Sequence, residues 1–170
     1  MLLRSAGVFN FFFFLLSLSG AYTTTPDVVD GSLNITAFPF LQIGKGLYYF
    51  DRGIKLNWFD AYESCRRIKS DLVAFETIDE WDLIHEYLKT LGRPDDLFWT
   101  SGNDLANVGK HNWFATGEPL TLDIWAPGEP NNNGGIEHCD ELGYRGTRPN
   151  NNLLNDLSCN STRHYICERL

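Results

Sequence analysis

The sequence predicts an α+β domain that is rich in loops and held together by disulfides. Two segments with helical periodicity come early in the chain, short apolar segments separated by Gly, Pro and Asn follow them, and the four cysteines form an even set. Helices followed by a run of short strands are typical of α+β domains. A length of 170 residues suits one ordinary domain and does not comfortably hold two.

The first residues are expected to lie outside this domain. Arg4 is the only charged residue in 1–21, and an apolar run and then small residues follow it. This order is typical of a secretory signal peptide, which we predict for residues 1–21. The alternative, a membrane anchor, needs about 18 apolar residues. Residues 22–43 are predicted to be a polar N-terminal leader, and the folded domain is expected at 44–170.

Each helix is predicted from a cap and a periodic apolar face. Asn57 can cap a first helix, and Thr77 with Glu80 indicates a capping box for a second helix that ends at Gly92. The inward faces of the two helices are predicted to hold Trp58, Ala61, Tyr62 and Cys65, and then Trp81, Ile84, Tyr87, Leu88 and Leu91.

Short apolar segments predict the strands. An aromatic strand is expected at residues 47–50 and a buried strand at residues 72–75. Further short apolar segments lie at 97–99, 112–114, 153–154 and 165–167, between stretches rich in Gly, Pro and Asn. Long irregular loops inside a compact domain are usually functional.

The cysteines indicate two disulfides. In an oxidising compartment an even set of cysteines, here Cys65, Cys139, Cys159 and Cys167, is expected to pair, although three pairings are possible. A zinc site is the competing interpretation, but C-x-x-C is absent and His138 beside Cys139 is a single weak signal. Sequons at Asn34 and Asn160 fit a glycosylated secreted protein.

Charge and motifs exclude several functions. A formal net charge of −8 argues against nucleic-acid and anionic-membrane partners. No H-E-x-x-H, G-x-S-x-G or G-x-x-x-x-G-K-[ST] motif occurs, and the histidines are scattered. A hydrolase that uses Glu129 and Glu137 as paired carboxylates is the remaining enzymatic interpretation. We do not expect an enzyme.

A group of oxygen-bearing side chains predicts a calcium site. Calcium takes roughly six to eight oxygen ligands from carboxylates and carbonyls. Such oxygens are offered by Glu129, Asn131, Glu137, Asn155 and Asp156. If Cys139 and Cys159 are bonded, Glu137 is held near Asp156. A cis Glu129–Pro130 peptide would aim the flanking side chains at one point, and a plain polar surface loop is the alternative.

Several short motifs follow one another along residues 44–170. An aromatic strand lies at residues 47–50, Trp-Thr-Ser-Gly stands at 99–102, Glu-Pro-Asn at 129–131 and Leu-Asn-Asp at 154–156. This series resembles the C-type lectin domain family, whose aromatic first strand and Glu-Pro-Asn motif are present, whose Trp-Ile-Gly-Leu motif is loosely matched, and whose Trp-Asn-Asp motif keeps its Asn and Asp. The resemblance implies the C-type lectin fold, in which two helices flank small antiparallel sheets with a long calcium-binding loop region. It also implies the disulfides Cys65–Cys167 and Cys139–Cys159.

The same resemblance implies a secreted, calcium-dependent carbohydrate-binding protein. One Ca²⁺ and the sugar hydroxyls would share the ligands Glu129, Asn131, Glu137, Asn155 and Asp156. Glu-Pro-Asn usually accompanies mannose- or fucose-type diols, so glycans are the expected partners, without nucleic-acid binding or membrane insertion. A galactose-type lectin and a sugar-independent protein-binding domain are the alternatives. A single site binds weakly, so oligomerisation would supply avidity.

Two departures from the family pattern carry further expectations. Asn132 and His138 stand where many relatives place acids for auxiliary calcium ions, so a well-formed second calcium site is not expected. The segment from Tyr144 to Pro149 is longer than usual, and we expect it to be a solvated surface loop.

Overall fold

The computed structural model describes residues 39–91, 96–143 and 153–169, all within one compact unit, Asn34–Leu170. The predicted signal peptide, the leader up to residue 38, the sequon at Asn34 and the segment from Tyr144 to Pro149 lie outside the described residues. Residues 41–43 of the predicted leader are described, and they form the first strand.

The described residues form two α-helices, one short 3-10 helix at Asn133–Gly135 and eight strands. The helices are α1 (Trp58–Arg67) and α2 (Ile78–Thr90). The strands are β1 (Leu41–Ile43), β2 (Gly46–Leu56), β3 (Asp71–Leu72), β4 (Leu97–Asn103), β5 (Asn112–Trp113), β6 (Cys139–Gly143), β7 (Leu154–Leu157) and β8 (Arg163–Arg169). Neither of these helices has the length and hydropathy that crossing a membrane requires.

The strands join into one mixed sheet. Its order is β1-β2-β8-β4-β6-β7, with β3 paired to β8 and β5 paired to β4. The β4–β8 pair is parallel, and the other pairs among the described strands are antiparallel. The expected α+β fold class is confirmed, with the difference that the described strands form one mixed sheet where the resemblance implied small antiparallel sheets. A long stretch of chain separates β4 from β8, so no hairpin imposes the antiparallel direction on them.

The predicted helix caps are confirmed. The Asn57 side chain accepts a hydrogen bond from the backbone N–H of Asp60 at 2.9 Å, and Thr77 Oγ1 accepts one from the N–H of Glu80 at 3.2 Å. These bonds satisfy N–H groups that a helix start leaves unpaired. The buried residues are Trp58, Ala61 and Cys65 on α1, and Trp81, Ile84, His85 and Leu88 on α2.

The buried strand predicted at 72–75 is wrong beyond Leu72. Residues 73–75 are almost fully buried, but their backbone does not follow one partner strand. The N–H of Val73 donates to the carbonyl of Ile166 at 2.9 Å, and the carbonyl of Val73 accepts from the N–H of Ser101 at 2.8 Å. The segment thus crosses from β8 to β4, and burial alone does not distinguish such a crossing from a strand.

Two disulfides tie the sheet to its loops. Cys65–Cys167 joins α1 to β8, and Cys139–Cys159 joins β6 to the turn after β7. These are the pairs that the resemblance implied, and the described residues contain no free cysteine. All four cysteines belong to a core cluster built around Trp58 and Trp99. The second disulfide closes the β6–β7 pair on which the candidate site lies.

Candidate functional site

The predicted ligands lie on one loop and one strand. Glu129 and Asn131 belong to the loop between β5 and β6, and Glu137 precedes β6 by two residues. Asn155 and Asp156 lie in β7, which pairs antiparallel with β6. The Glu129–Pro130 peptide is cis, as hypothesised from the sequence.

Asp156 attaches the Glu-Pro-Asn loop to the sheet. Only 1% of Asp156 is exposed. Its Oδ1 accepts from the backbone N–H of Asn131 at 3.0 Å, and its Oδ2 accepts from the N–H of Asn132 at 2.7 Å. Because both carboxylate oxygens bind the loop, β7 fixes the place of residues 129–132. Asn131 Nδ2 in turn donates to Glu129 Oε2 at 2.6 Å.

Glu137 is tied to the same loop from the other side. Its Oε2 accepts from the N–H of Asn133 at 2.9 Å, and its own N–H donates to Asn132 Oδ1 at 3.0 Å. Asn132 has a φ of 44° and a ψ of 50°, a left-handed conformation in which Asn is enriched among non-glycine residues. The resulting turn brings the Glu137 carboxylate next to the segment that follows the Glu-Pro-Asn triad.

Asn155 is held by a residue that the sequence analysis missed. Its Nδ2 donates to Glu141 Oε1 at 3.0 Å. Glu141 is 2% exposed, and its Oε2 accepts from Arg163 Nε. Glu141 and Asn155 stand opposite each other in the β6–β7 register. The sequence shows only that residue 141 is acidic. The β6–β7 register, which places Glu141 opposite Asn155, is not visible in the sequence.

A small cavity joins the two halves of the site. Glu129 from the loop and Asn155 and Glu141 from the sheet line a space of about 80 Å³. The wall is completed by Leu97, Ala126, Pro127, Gly143 and Leu153. Of the five predicted ligands, Glu129 and Asn155 line this cavity, and Asn131, Glu137 and Asp156 are linked to the loop by the hydrogen bonds described above.

Leu154 anchors the start of the loop. It occupies the position of the family's tryptophan and is fully buried. Its N–H donates to the carbonyl of Ile124 at 3.0 Å, and its carbonyl accepts from the N–H of Ala126 at 2.8 Å. The backbone of β7 therefore positions the chain that leads to Glu129, and leucine supplies the packing at this point.

The donor set suits calcium by its chemistry. Across residues 39–91, 96–143 and 153–169, no three His, Cys, Asp or Glu side chains lie close enough together to form a metal-ligand group, so the three predicted carboxylates are not gathered around one point in this structure. The fit to calcium rests on the chemistry of the donors, which are three carboxylates and two carboxamides. All five side chains offer hard oxygen atoms, which are the ligands that calcium prefers. The bonds from Asn131 and Asn155 use their amide nitrogens, which directs their Oδ1 atoms elsewhere.

Two histidines lie against buried aspartates beside this group. His138 Nδ1 lies 2.8 Å from Asp104 Oδ1, and His111 Nδ1 lies 2.9 Å from Asp140 Oδ1. Burial raises the pKa of Asp140 to about 6. Burial alone would lower the pKa of His111, but the hydrogen bond and the charge of Asp140 outweigh it and raise that pKa. Gly102 is required here, since a Cβ would lie 2.3 Å from Asp140 Oδ2.

Comparison with known proteins identifies the family. Residues 54–169 match the Lectin C-type domain. The chain belongs to the C-type lectin domain family. C-type lectin 37Da of Drosophila melanogaster is 43% identical over 141 residues, which cover 81% of this chain and 75% of that protein. Salivary C-type lectin 1 of Aedes albopictus is 33% identical over 121 residues, which cover 67% of this chain and 76% of that lectin.

Solved C-type lectin structures confirm the predicted fold. The carbohydrate-recognition domain of the mouse scavenger receptor C-type lectin aligns with a TM-score of 0.64 at 27% identity, over 76% of this chain and 91% of that domain. The C-type carbohydrate-recognition domain of cow CD23, determined in the presence of a GlcNAc2Man3 oligosaccharide, aligns with the same TM-score and identity. That alignment covers 77% of this chain and 92% of the CD23 domain.

Proposed function

We propose that this C-type lectin domain binds carbohydrate hydroxyls through one calcium ion. The ligands of that ion would be Glu129, Asn131, Glu137, Asn155 and Asp156. The observation that carries the proposal is the attachment of the intact Glu-Pro-Asn loop to both carboxylate oxygens of Asp156. The lectin relatives, and the CD23 domain determined with an oligosaccharide, support a carbohydrate as the ligand.

The side chains of the site would recognise the orientation of the sugar hydroxyls through hydrogen bonds. Bound calcium would supply a positive centre to which two neighbouring sugar hydroxyls bring their oxygens. The carboxylates of Glu129 and Glu137 would accept hydrogen bonds from those hydroxyls, and the amide nitrogens of Asn131 and Asn155 would donate to them. Each amide nitrogen carries two hydrogens, so one remains after the bonds to Glu129 and Glu141. The Glu-Pro-Asn triad supports mannose- or fucose-type diols.

We also propose that the protein is secreted and acts on glycans outside the cell. Two disulfides suit an oxidising compartment, and a relative is described as a salivary lectin. Asn160 is exposed in the turn after β7, where its sequon is open to glycosylation. A weak single site would need either an oligomer of this chain or densely displayed glycans for avidity.

Glycan-array binding in calcium and in EDTA tests the proposed function. The expected result is a signal on mannose- or fucose-terminated glycans that EDTA removes. Strong binding to galactose-terminated glycans would replace the mannose-type assignment. The absence of any signal from folded, disulfide-bonded protein would contradict the lectin function and favour a protein-binding role.

A matched pair of variants separates the site from the fold. Glu129→Gln keeps the size of the side chain but removes a charged ligand, so calcium and sugar binding should be lost. Glu63→Gln is the control, because Glu63 is 66% exposed on α1 and pairs with Arg67 in a surface ion pair at 3.0 Å, an interaction worth little. Calorimetric titration with calcium should show no change for this control.

A further inference from the structure

The Glu141 carboxylate is buried in the middle of the sheet, directly behind a proposed calcium ligand. It is 2% exposed and lies on β6, which β4 and β7 flank. Burial of an isolated carboxylate is costly, so a residue of this kind needs partners. Glu141 has two, because Oε1 accepts from Asn155 Nδ2 at 3.0 Å and Oε2 accepts from Arg163 Nε. Each oxygen of Glu141 is therefore committed to a different donor.

This arrangement selects one of the two orientations of the Asn155 carboxamide. An ionised carboxylate only accepts hydrogen bonds, whereas a carboxamide donates at one end and accepts at the other. Facing Glu141, Asn155 must present its NH₂ group, since a flipped amide would set Oδ1 against a carboxylate oxygen. Arg163 holds the carboxylate in place and compensates its charge, and its own Nη1 donates to the carbonyl of Thr162 at 2.9 Å.

We propose that Glu141 is a positioning residue that turns Asn155 Oδ1 toward the calcium ligands. The proposal rests on the function proposed above, because it concerns the use of Asn155 as a ligand. Glu141 and Asn155 line the same cavity as Glu129, so the orientation set at Glu141 decides which Asn155 atom serves the site. Residues behind metal ligands commonly fix ligand orientation, and their loss lowers metal affinity by about 10- to 100-fold.

Glu141→Gln tests the proposal without changing the shape of the core. Glutamine keeps an oxygen for Arg163 Nε, and its NH₂ group then faces the NH₂ group of Asn155. Two donors cannot bond to each other, so Asn155 is expected to flip and turn its nitrogen toward the metal. Calorimetry should show calcium affinity reduced by about 10- to 100-fold, while the Glu63→Gln control keeps the affinity of the wild type.

A second substitution, Asn155→Asp, reverses the expected effect of Glu141→Gln on calcium affinity. In Asn155→Asp a carboxylate faces Glu141, so the single variant should bind calcium poorly. Adding Glu141→Gln to Asn155→Asp supplies an NH₂ donor to the carboxylate introduced on β7, while the new amide oxygen still accepts from Arg163. The same Glu141→Gln change should then raise calcium affinity by about 10-fold. A general loss of core stability would lower affinity in both backgrounds, so only positioning predicts the reversal.

The NMR signals of the Asn155 side-chain NH₂ group provide a readout without metal. In EDTA, wild-type protein should show one hydrogen of this group protected from exchange by Glu141, and Glu141→Gln should remove that protection. Unchanged calcium affinity in Glu141→Gln, or a loss of equal size in both backgrounds, would overturn the inference. If wild-type protein binds no calcium, the proposed function fails instead, and equal NH₂ exchange in wild type and Glu141→Gln would then overturn the positioning inference separately.

Discussion

Asp156 is expected to hold the Glu-Pro-Asn loop in place even when calcium is absent. Its two oxygens accept from the N–H groups of Asn131 and Asn132 at 3.0 and 2.7 Å, and these bonds need no metal. Asp156→Asn preserves the size of the side chain but converts one acceptor into a donor. One of the two N–H groups then faces an NH₂ group, and the other keeps an acceptor that carries no charge.

The size of the effect follows from the two bonds. A hydrogen bond to a charged group contributes about 1.5–3 kcal/mol. Asp156→Asn removes one such bond and takes the charge from the other, so the free energy of opening the loop should fall by about 2–4 kcal/mol. Since each 1.4 kcal/mol is a factor of ten, the N–H groups of Asn131 and Asn132 should exchange at least about 30-fold faster.

Native-state hydrogen exchange measured by NMR in EDTA is the direct assay. The N–H of Ser101, which donates to Val73 in the core at 2.8 Å, is the internal reference, and its exchange should change only if global stability changes. Urea unfolding of the same samples measures the global stability. Equal exchange of Asn131 and Asn132 in wild type and Asp156→Asn would refute the reasoning and would mean that this carboxylate does not order the loop.

Three other perturbations test what stabilises the domain around the site. Burial, reinforced by the charge of Glu80, raises the pKa of Glu168 from 4.5 to about 8. The Glu168 carboxyl loses its proton more easily in the unfolded protein, so the free energy of unfolding falls as the pH rises from about 4.5 to about 8. Measured by urea unfolding, the free energy of unfolding of Glu168→Gln should match that of the wild type near pH 4 and exceed it by a few kcal/mol at about pH 8. A difference between the two proteins that does not change with pH would contradict this. Burial lowers the pKa of His85 from 6.5 to about 4, so stability should fall as pH drops through that range, and His85→Leu should show a smaller fall. Replacing Cys139 and Cys159 together by Ala opens a link across 20 residues, and thermal and urea unfolding in EDTA should show a loss of about 3 kcal/mol. An unchanged unfolding midpoint would show that the β6–β7 pair does not need the link.

The helices could be predicted from the sequence because their signals are local. The caps at Asn57 and Thr77 and the apolar spacing on α1 are all contained within one or two turns of helix. Strand β6 could not be predicted in the same way. Its five residues are all buried, yet they include Asp140 and Glu141, and two acids in succession do not indicate a buried strand. Their burial depends on His111 and Arg163, which lie far away in the sequence.

The residues of the candidate site also fall into those that local motifs indicate and those that only tertiary contacts reveal. Four of the five proposed ligands are visible in the sequence because the Glu-Pro-Asn triad and the Asn-Asp pair are short, contiguous motifs, and the fifth, Glu137, lies two residues before Cys139. The residues that hold these ligands could not, since Glu141 becomes informative only once β6 and β7 are in register. The histidines are scattered in the sequence, and only the fold shows that His111 and His138 contact Asp140 and Asp104. Sequence motifs thus indicate ligands, and folding decides what supports them.

The acids around the site serve different purposes, and their partners show which. Glu141 is paired with the Arg163 guanidinium, and Asp104 lies 2.8 Å from the His138 ring nitrogen Nδ1, so both of these carboxylates have side-chain partners. Asp156 is just as buried, but its hydrogen bonds come from backbone N–H groups of the Glu-Pro-Asn loop. A buried polar side chain without hydrogen-bond partners is costly, and the closed loop supplies those partners to both oxygens of Asp156. A cation bound beside Asp156 would strengthen a contact that already exists, so the protein would not spend binding energy on ordering these residues.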